Sequence, residues 1–259
     1  MVMNFKIFEN EDTAANYVAN ILRKQMNDNP TSTIGLATGK TMVPIYKQLV
    51  DEIKENPVDM SQLKFINVDE YVDLDPSNKE SFAYFMKEKL YSQVNVLEHQ
   101  SFIPTGSGEE AVKQFNEKLE EFGTPVLQLL GIGQNGHIGF NEPGTSFDEG
   151  VHVVNLSEET KSQNKDQFAD GNVPTKAITM GIKDIMKSRE IILVATGQHK
   201  ANIIRELYDA KVSEKFPASI LKEHRMVTVV LDKEAASELP QDIQSYYYSC
   251  LLYTSDAAD

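Results

Sequence analysis

Residues 131–144 form a glycine-rich segment that carries two side chains able to move protons. Five of its fourteen residues are glycines, which let a backbone approach a ligand closely because they lack a Cβ and tolerate positive φ. His137 and Glu142 stand five residues apart on this segment, and histidine is the side chain most easily used as a proton carrier near neutral pH. The segment is the first candidate for an active site. The alternative is a turn between a strand and a helix in which both side chains are only solvated.

Asp69 is a second candidate, because it directly follows the strand-like run 65–68. A carboxylate at the carboxyl edge of a sheet is well placed to act as a general base, and Glu70 would raise its proton affinity if both side chains point the same way. The alternative is a helix cap or a solvated turn. No metal site is predicted: His137 lacks metal-ligand spacing, and a calcium loop over 73–84 would lack its glycine and its closing glutamate.

Two further segments offer groups for an anion. Residues 35–41 contain the glycines, lysine and threonine of a nucleotide-binding phosphate loop, but three residues separate the glycines where that loop needs four. A shorter turn still offers amide donors, a hydroxyl and the positive end of a helix to one phosphate, so a phosphorylated metabolite is the better interpretation, and an ordinary helix cap is the alternative. Lys200 follows a glycine turn at the start of a predicted helix. The helix dipole disfavours a cation there unless an anion lies nearby. The predicted contacts of the first segment are Thr38, Gly39, Lys40 and Thr41.

The elements that must position these residues alternate between apolar runs of strand length and amphipathic segments of helix length. This alternation predicts an α/β fold, a three-layer Rossmann-like domain with a mostly parallel central sheet flanked by helices. Ligands of such sheets bind beyond the carboxyl ends of the strands, so we expect the candidate segments to meet there. One domain is predicted over 1–239, and 240–259 is predicted to be a tail outside the fold because the periodicity ends. The predicted strands are 33–37, 64–68, 126–130, 151–156, 177–180, 191–195 and 226–231, with helices over 110–122 and after the first strand.

Composition restricts the class of partner. The chain has 259 residues, 41% of them apolar, and a formal net charge of −14 that is spread along its length without a basic run. Nucleic acid and membrane surfaces are therefore not expected partners. No segment approaches the ~20 apolar residues that span a bilayer, and the single cysteine, Cys250, excludes an internal disulfide. We expect a cytoplasmic protein that binds a small molecule.

Taken together, several segments resemble glucosamine-6-phosphate deaminases, in the shorter form common in Gram-positive bacteria. The resemblance extends to about residue 239, and its most specific parts are the D-E-Y motif at 69–71 and the glycine-rich segment. It implies conversion of glucosamine 6-phosphate and water to fructose 6-phosphate and ammonia, without a metal or an organic cofactor. The segments that carry it are 35–41, 65–71, 130–144, 177–181 and 191–200.

The resemblance also implies a role for each candidate residue. His137 would open the sugar ring by moving a proton between the ring and anomeric oxygens, and Asn135 and Glu142 would orient or polarise it. Asp69 would take the proton from C2 and return it at C1. Thr41, the amides around Gly39, and Lys200 match positions that hold the substrate phosphate.

Some residues depart from the family pattern. The family commonly has an arginine for the phosphate near residue 165, where this chain has Lys165, so two-point recognition of the phosphate is in doubt there. Lys40 replaces a small residue, Asp73 replaces a glycine, and Asn78 with Lys79 replaces His-Pro. The departures at Lys165 and Lys40 motivate one alternative, a lactonase or isomerase acting on another sugar phosphate. A second alternative is a sugar-phosphate sensor without catalysis, because related folds serve as sensors. Monomer or homo-oligomer, allosteric control, and the choice between glucosamine and galactosamine are undecided by the sequence.

Overall fold

The computed structural model describes residues 3–169 and 171–249. Across these ranges it contains ten β-strands and eight α-helices, joined by loops and short 3-10 turns. None of the helices in these ranges is long and apolar enough to cross a bilayer. The strands are β1 (Asn4–Phe8), β2 (Thr33–Leu36), β3 (Lys64–Asn67), β4 (Asp69–Tyr71), β5 (Ser101–Phe102), β6 (Leu127–Leu130), β7 (His152–Asn155), β8 (Lys176–Thr179), β9 (Glu190–Ala195) and β10 (Val227–Asp232). The helices are α1 (Glu11–Asp28), α2 (Met42–Glu55), α3 (Phe82–Lys89), α4 (Gly108–Phe122), α5 (Glu158–Asn164), α6 (Ile182–Met186), α7 (Ala201–Asp209) and α8 (Gln241–Tyr247).

Seven strands form the central sheet, in the order β1-β10-β9-β6-β2-β3-β5, and every neighbouring pair is parallel. The central strands β2 and β6 are buried along their whole lengths, as parallel strands are when other layers cover both faces of the sheet. This confirms the predicted α/β fold with a mostly parallel sheet. From β2 the chain proceeds to β3 and β5 on one side, and from β6 to β9 and β10 on the other. The strand order therefore reverses between β2 and β6, which is where ligands of open α/β sheets bind.

The helices bury apolar stripes against this sheet. Helix α1 begins after Asn10, whose side chain accepts a hydrogen bond from the Thr13 amide at 2.9 Å and satisfies one of the free donors of the first turn. Its buried residues recur at helical spacing, and it packs on α2 and β10. Helices α2 and α4 confirm the two helices predicted from sequence, with Leu49, Ile53 and Phe115 buried as their spacing requires.

A second sheet, with the order β4-β8-β7, is antiparallel and stands apart from the first. The strands predicted at 151–156 and 177–180 exist, but assigning them to the parallel sheet was wrong. Asp69 pairs with Thr179 in this small sheet, and the amide of Met180 donates to the carbonyl of Val68, the residue that links β3 to β4. Apolar periodicity indicates that a strand is buried but does not say which strand it pairs with. The consequence is that Asp69 lies within a strand rather than on a loop.

The C-terminal segment differs from the expectation that residues 240–259 lie outside the fold. Helix α8 packs on β1, where Tyr247 makes an edge-to-face contact with Phe5 at 5.6 Å between ring centroids. Tyr248 then forms a parallel bridge to Ile7, and the Ser249 amide donates to the Ile7 carbonyl at 2.8 Å. This segment covers the edge of β1, a strand that was not predicted from the sequence. Cys250 and the residues after it lie outside the described ranges.

Candidate active site

One cavity of about 660 Å³ opens where the strand order reverses. It is lined by residues that follow β2, β3, β6 and β9, the four segments expected to meet from sequence. Asp69, His137 and Lys200 all line it, and so does the turn 38–41. The predicted convergence is confirmed: residues far apart in the chain face a single space.

A hydrogen-bond network holds His137 at the wall of this cavity. Its ring Nδ1 lies 2.7 Å from Oδ1 of Asn135, and its backbone amide donates to the same oxygen at 3.1 Å. Asn135 in turn donates from Nδ2 to Oε2 of Glu142 at 2.7 Å, and that carboxylate oxygen is 3.8 Å from Nδ1 of His137. Asn135 and Glu142 do not line the cavity. They stand behind the imidazole and set its orientation.

The network determines which nitrogen of His137 carries the proton. A carboxylate only accepts hydrogen bonds, so the amide nitrogen of Asn135 must face Glu142 and its oxygen must face the ring. Nδ1 of the neutral ring is then the donor, which leaves the lone pair of Nε2 free. Burial lowers the pKa of His137, the charge of Glu142 opposes that shift, and Lys200 adds to it. A neutral imidazole with a free Nε2 is equipped to accept a proton.

Gly133 leaves the space that this imidazole occupies. A Cβ added at residue 133 would lie 2.1 Å from Cε1 of His137, well inside any real contact distance. The backbone also closes here, because the Gly133 amide donates to the His137 carbonyl at 3.0 Å. The local reason for glycine at this position is therefore close approach of the ring.

Asp69 lines the same cavity from strand β4, and its side chain is buried. Burial raises the pKa of the Asp69 carboxyl well above its usual range, and the charge of Glu70 raises it further. The predicted effect of Glu70 is present, although the condition attached to it, that both side chains point the same way, is not met. Within residues 3–169 and 171–249 no hydrogen bond or ion pair is made to the Asp69 carboxylate, so its charged form has no direct compensation. A carboxylate of raised proton affinity in a cavity wall suits a general base.

The Glu70 side chain is turned away from the cavity toward α3. Its carboxylate accepts hydrogen bonds from the backbone amides of Tyr71, Phe82 and Ala83 at 2.8, 3.1 and 2.9 Å. A carboxylate satisfies the free amides at a helix N-terminus and is stabilised by the helix dipole. Glu70 therefore fastens β4 to α3, whose Phe82 and Phe85 also line the cavity.

The turn after β2 provides the expected anion-binding groups. Thr38, Gly39, Lys40 and Thr41 all line the cavity, and α2 begins directly after them at Met42. Gly39 has φ 116°, a conformation that favours glycine, and its carbonyl accepts from the Met42 amide at 3.0 Å. Thr41 precedes the helix but makes no side-chain cap hydrogen bond, so the cap alternative does not explain its hydroxyl.

Lysines concentrate at this cavity although the chain as a whole is acidic. Lys200, half-buried and just before α7, donates from Nζ to the carbonyl of Ile132 and so ties its segment to the glycine-rich one. Burial lowers its pKa. Lys40 and Lys79 line the same cavity from exposed positions. Three ammonium groups thus line the cavity at which α2 begins, and they give a local positive field against a net charge of −14.

Lys165 is the one predicted substrate contact that the structure does not bring to this cavity. It begins a 3-10 turn after α5 with an exposed side chain, while its neighbours Asn164 and Gln167 line the cavity. The helical turn points residue 165 outward, which residue spacing alone did not reveal. Sequence reasoning counted Lys79 only as a departure from a pattern, yet its side chain lines the cavity.

The residues of α5 were also missed. Thr160 donates to Oε1 of Glu142 at 3.0 Å, and Asn164 donates to the hydroxyl of Tyr71 at 2.9 Å. Both residues line the cavity. A serine at 157 with acidic residues after it signals the start of a helix, but no local signal tells that this helix reaches the site.

The chain is similar to known proteins over most of its length. The family model that matches is described as "Glucosamine-6-phosphate isomerases/6-phosphogluconolactonase", and it covers residues 9–230. A glucosamine-6-phosphate deaminase from Geobacillus sp. (strain WCH70) is 42% identical over 244 residues, which is 90% of this chain and 97% of the relative. Another from Mycoplasma mycoides subsp. mycoides SC is 40% identical over 239 residues, which is 92% of this chain and 98% of that protein.

Solved structures agree with this similarity. A monomeric glucosamine-6-phosphate deaminase superposes with a TM-score of 0.88 at 35% identity, covering 91% of this chain and 100% of its own. A 6-phosphogluconolactonase from Trypanosoma cruzi superposes with a TM-score of 0.76 at 17% identity, covering 92% and 98%. At that identity the second likeness is one of fold alone.

Proposed function

The chain belongs to the family of glucosamine-6-phosphate isomerases and 6-phosphogluconolactonases, and on this basis we propose that it is a glucosamine-6-phosphate deaminase. The reaction converts glucosamine 6-phosphate and water to fructose 6-phosphate and ammonia. One observation supports this assignment above the others: a buried carboxylate of raised pKa and a neutral imidazole share one cavity with a lysine-rich helix N-terminus.

Ring opening is the first step proposed. Nε2 of His137 takes the proton of the anomeric hydroxyl and delivers it to the ring oxygen as the bond between C1 and that oxygen breaks. The imidazolium formed in between is stabilised by Glu142, whose carboxylate lies 3.8 Å from Nδ1. The product of this step is the open-chain aldehyde.

Proton transfer between carbons is the second step. Asp69 removes the proton from C2, the C1–C2 double bond forms, and the aldehyde oxygen takes a proton from the substrate's own ammonium group, which gives an enolamine. Asp69 then returns its proton to C1, and the nitrogen at C2 becomes a protonated imine. Water adds to C2 and ammonia leaves, so that C2 becomes the ketone. The raised proton affinity of Asp69 suits a group that must both take and return a proton.

The phosphate is proposed to bind at the turn 38–41, with Lys200 beside it. Amide donors at the start of α2, the hydroxyls of Thr38 and Thr41, and the Lys200 ammonium are the groups that line this part of the cavity. Lys40 and Lys79 are proposed to supply the remaining positive charge. A cytoplasmic location stays a prediction from the sequence.

The direct test is release of ammonia from glucosamine 6-phosphate by the purified protein, measured beside galactosamine 6-phosphate and a phosphogluconolactone. Ammonia and fructose 6-phosphate in equal amounts are expected from the first compound. Hydrolysis of the lactone without turnover of either amino sugar would identify a lactonase instead. Tight binding of the sugar phosphate without any turnover would identify a sensor.

A further inference from the structure

Helix α5 contributes Thr160 to the network behind His137, and none of the proposed steps uses this residue. Thr160 is 6% exposed. Its hydroxyl donates to Oε1 of Glu142 at 3.0 Å and accepts from the Ser157 hydroxyl at 2.9 Å. The single hydroxyl hydrogen is therefore committed to the carboxylate.

The Asn135 amide is the part of this network that has two possible orientations. Its oxygen and nitrogen are similar in size, so shape alone does not choose between them. In the observed orientation, Oδ1 faces the His137 ring and Nδ2 faces Glu142. The reverse orientation would place Nδ2 against Nδ1, which would then accept a hydrogen bond, and the ring proton would reside on Nε2.

We propose that Thr160 is a positioning residue: it holds Glu142 where that carboxylate accepts the Asn135 amide, and so keeps Nε2 of His137 free to accept a proton. The inference rests on the proposed function, in which Nε2 is the atom that takes the anomeric proton. The His137 backbone amide, which donates to Oδ1 of Asn135 at 3.1 Å, favours the same orientation. Loss of the Thr160 hydroxyl is therefore expected to weaken the preference for this orientation of the Asn135 amide rather than to abolish it.

A second contact keeps α5 in place when Thr160 is changed. Asn164, at the last turn of the helix, donates to the Tyr71 hydroxyl at 2.9 Å. The Ser157 side chain accepts from the Thr160 amide at 3.1 Å and caps the first turn. A substitution at 160 that keeps the side-chain shape is thus expected to remove the hydroxyl without displacing the helix.

Thr160→Val removes the hydroxyl at nearly constant volume, and Thr160→Ser keeps it. For Thr160→Val we expect kcat on glucosamine 6-phosphate to fall by roughly tenfold, because only a fraction of the protein then keeps Nε2 of His137 free to accept a proton. KM should stay within about threefold, since the phosphate contacts are untouched. Thr160→Ser should restore kcat to within roughly threefold of the unmodified protein, a rescue that a merely structural role of the methyl group would not produce.

The ¹⁵N chemical shifts of the imidazole in the ligand-free protein report which ring nitrogen of His137 carries hydrogen. The His137 signals are identified by their absence from the spectrum of His137→Gln. The unmodified protein should show hydrogen on Nδ1, and Thr160→Val a mixture of both forms. The charge of Glu142 raises the pKa of His137 against the effect of burial, so a carboxylate released by Thr160→Val should leave this pKa lower still. Ser157→Ala is the control for the helix: it removes the cap of α5 and the donor to the Thr160 hydroxyl but leaves the hydrogen bond from that hydroxyl to Glu142, so hydrogen should stay on Nδ1.

The two proposals fail in different ways. No ammonia from the unmodified protein would reject the deaminase assignment, while the imidazole signals would still decide the role of Thr160. Thr160→Val with unchanged kcat and hydrogen on Nδ1 alone would overturn that role, as would Thr160→Ser that melts normally yet behaves like Thr160→Val. If Thr160→Val does not fold, Thr160→Ala is judged by the same signals.

Discussion

Replacing Asp69 with asparagine is expected to stabilise the protein while it removes the activity. The Asp69 side chain is 7% exposed, and burial and then the charge of Glu70 raise the pKa of its carboxyl well above the usual range. Among the described residues, none donates a hydrogen bond to this carboxylate. The ionised form is therefore costly in the folded protein, and asparagine has no charge to bury.

The pH dependence follows from the direction of this shift. Because the folded protein binds the Asp69 proton more tightly than the unfolded chain, its stability falls as pH rises from the unfolded pKa of about 3.9 through the raised folded pKa. Below the unfolded pKa, Asp69 is neutral in both states and the cost is absent. The stability gained by Asp69→Asn should therefore be small at pH 4 and reach its full value above the folded pKa.

The magnitude follows from the missing partners. A buried polar group without a hydrogen bond costs about 1–3 kcal/mol, and we take this range as a conservative cost for the charged Asp69 carboxylate. One kcal/mol shifts the melting temperature of a chain of this size by about 2–4 °C. We therefore expect Asp69→Asn to melt about 2–12 °C higher than the unmodified protein above the folded pKa. Loss of a positioned proton acceptor should lower kcat by about 10²–10⁴-fold.

Thermal unfolding from pH 4 to pH 8 and ammonia release from glucosamine 6-phosphate measure the two effects. Asp59→Asn is the matched control: Asp59 is exposed, it does not line the cavity, and hydrogen bonds from Ser61 lower the pKa of its carboxyl. Asp59→Asn should leave kcat unchanged and slightly destabilise the protein at neutral pH, whereas Asp69→Asn should stabilise it. An Asp69→Asn protein that gains no stability as pH rises would refute the argument from burial, and one with full turnover would refute the assigned base.

Two other substitutions test the anion site and the imidazole. Lys200→Met should raise KM by roughly tenfold or more because it removes the half-buried ammonium group that is proposed to bind the phosphate. Lys165→Met should change KM less than about twofold, since that exposed side chain does not line the cavity. Equal effects in steady-state assays would show that the cavity is not where the phosphate binds. Gly133→Ala should push the His137 ring out of place, since the new Cβ would lie 2.1 Å from Cε1, and lower kcat by about 10²-fold. Gly131→Ala, whose Cβ would meet Met42 at an ordinary 3.8 Å, should retain activity, and loss in both variants would mean that the loop as a whole is intolerant.

Local patterns in the chain were enough to predict the parallel sheet and the site segments. Buried parallel strands need near-continuous apolar runs, and the turns after them carry the glycines and polar residues that contact ligands. The positions of Asp69, His137 and Lys200 relative to those runs therefore predicted that they share a cavity, and they do.

These patterns did not predict which strands pair with one another. The strands at His152–Asn155 and Lys176–Thr179 were predicted to join the parallel sheet, yet they form a separate antiparallel sheet in which Lys176–Thr179 pairs with both His152–Asn155 and Asp69–Tyr71. Burial is encoded in residue type, but the choice of partner depends on which edges the rest of the fold leaves open. The same reason applies to Gln241–Tyr247, which pack on the open edge provided by Asn4–Phe8.

By itself, then, the sequence determined the fold class, the catalytic candidates and the family, because each depends on residue types at short spacing. Only the tertiary structure decided that Lys165 faces away, that Lys79 lines the cavity, and that Thr160 holds Glu142. Those contacts join segments brought together by the packing of the sheets, and they depend on distances of a few ångströms and on the direction of each side chain. No spacing along one segment contains that information.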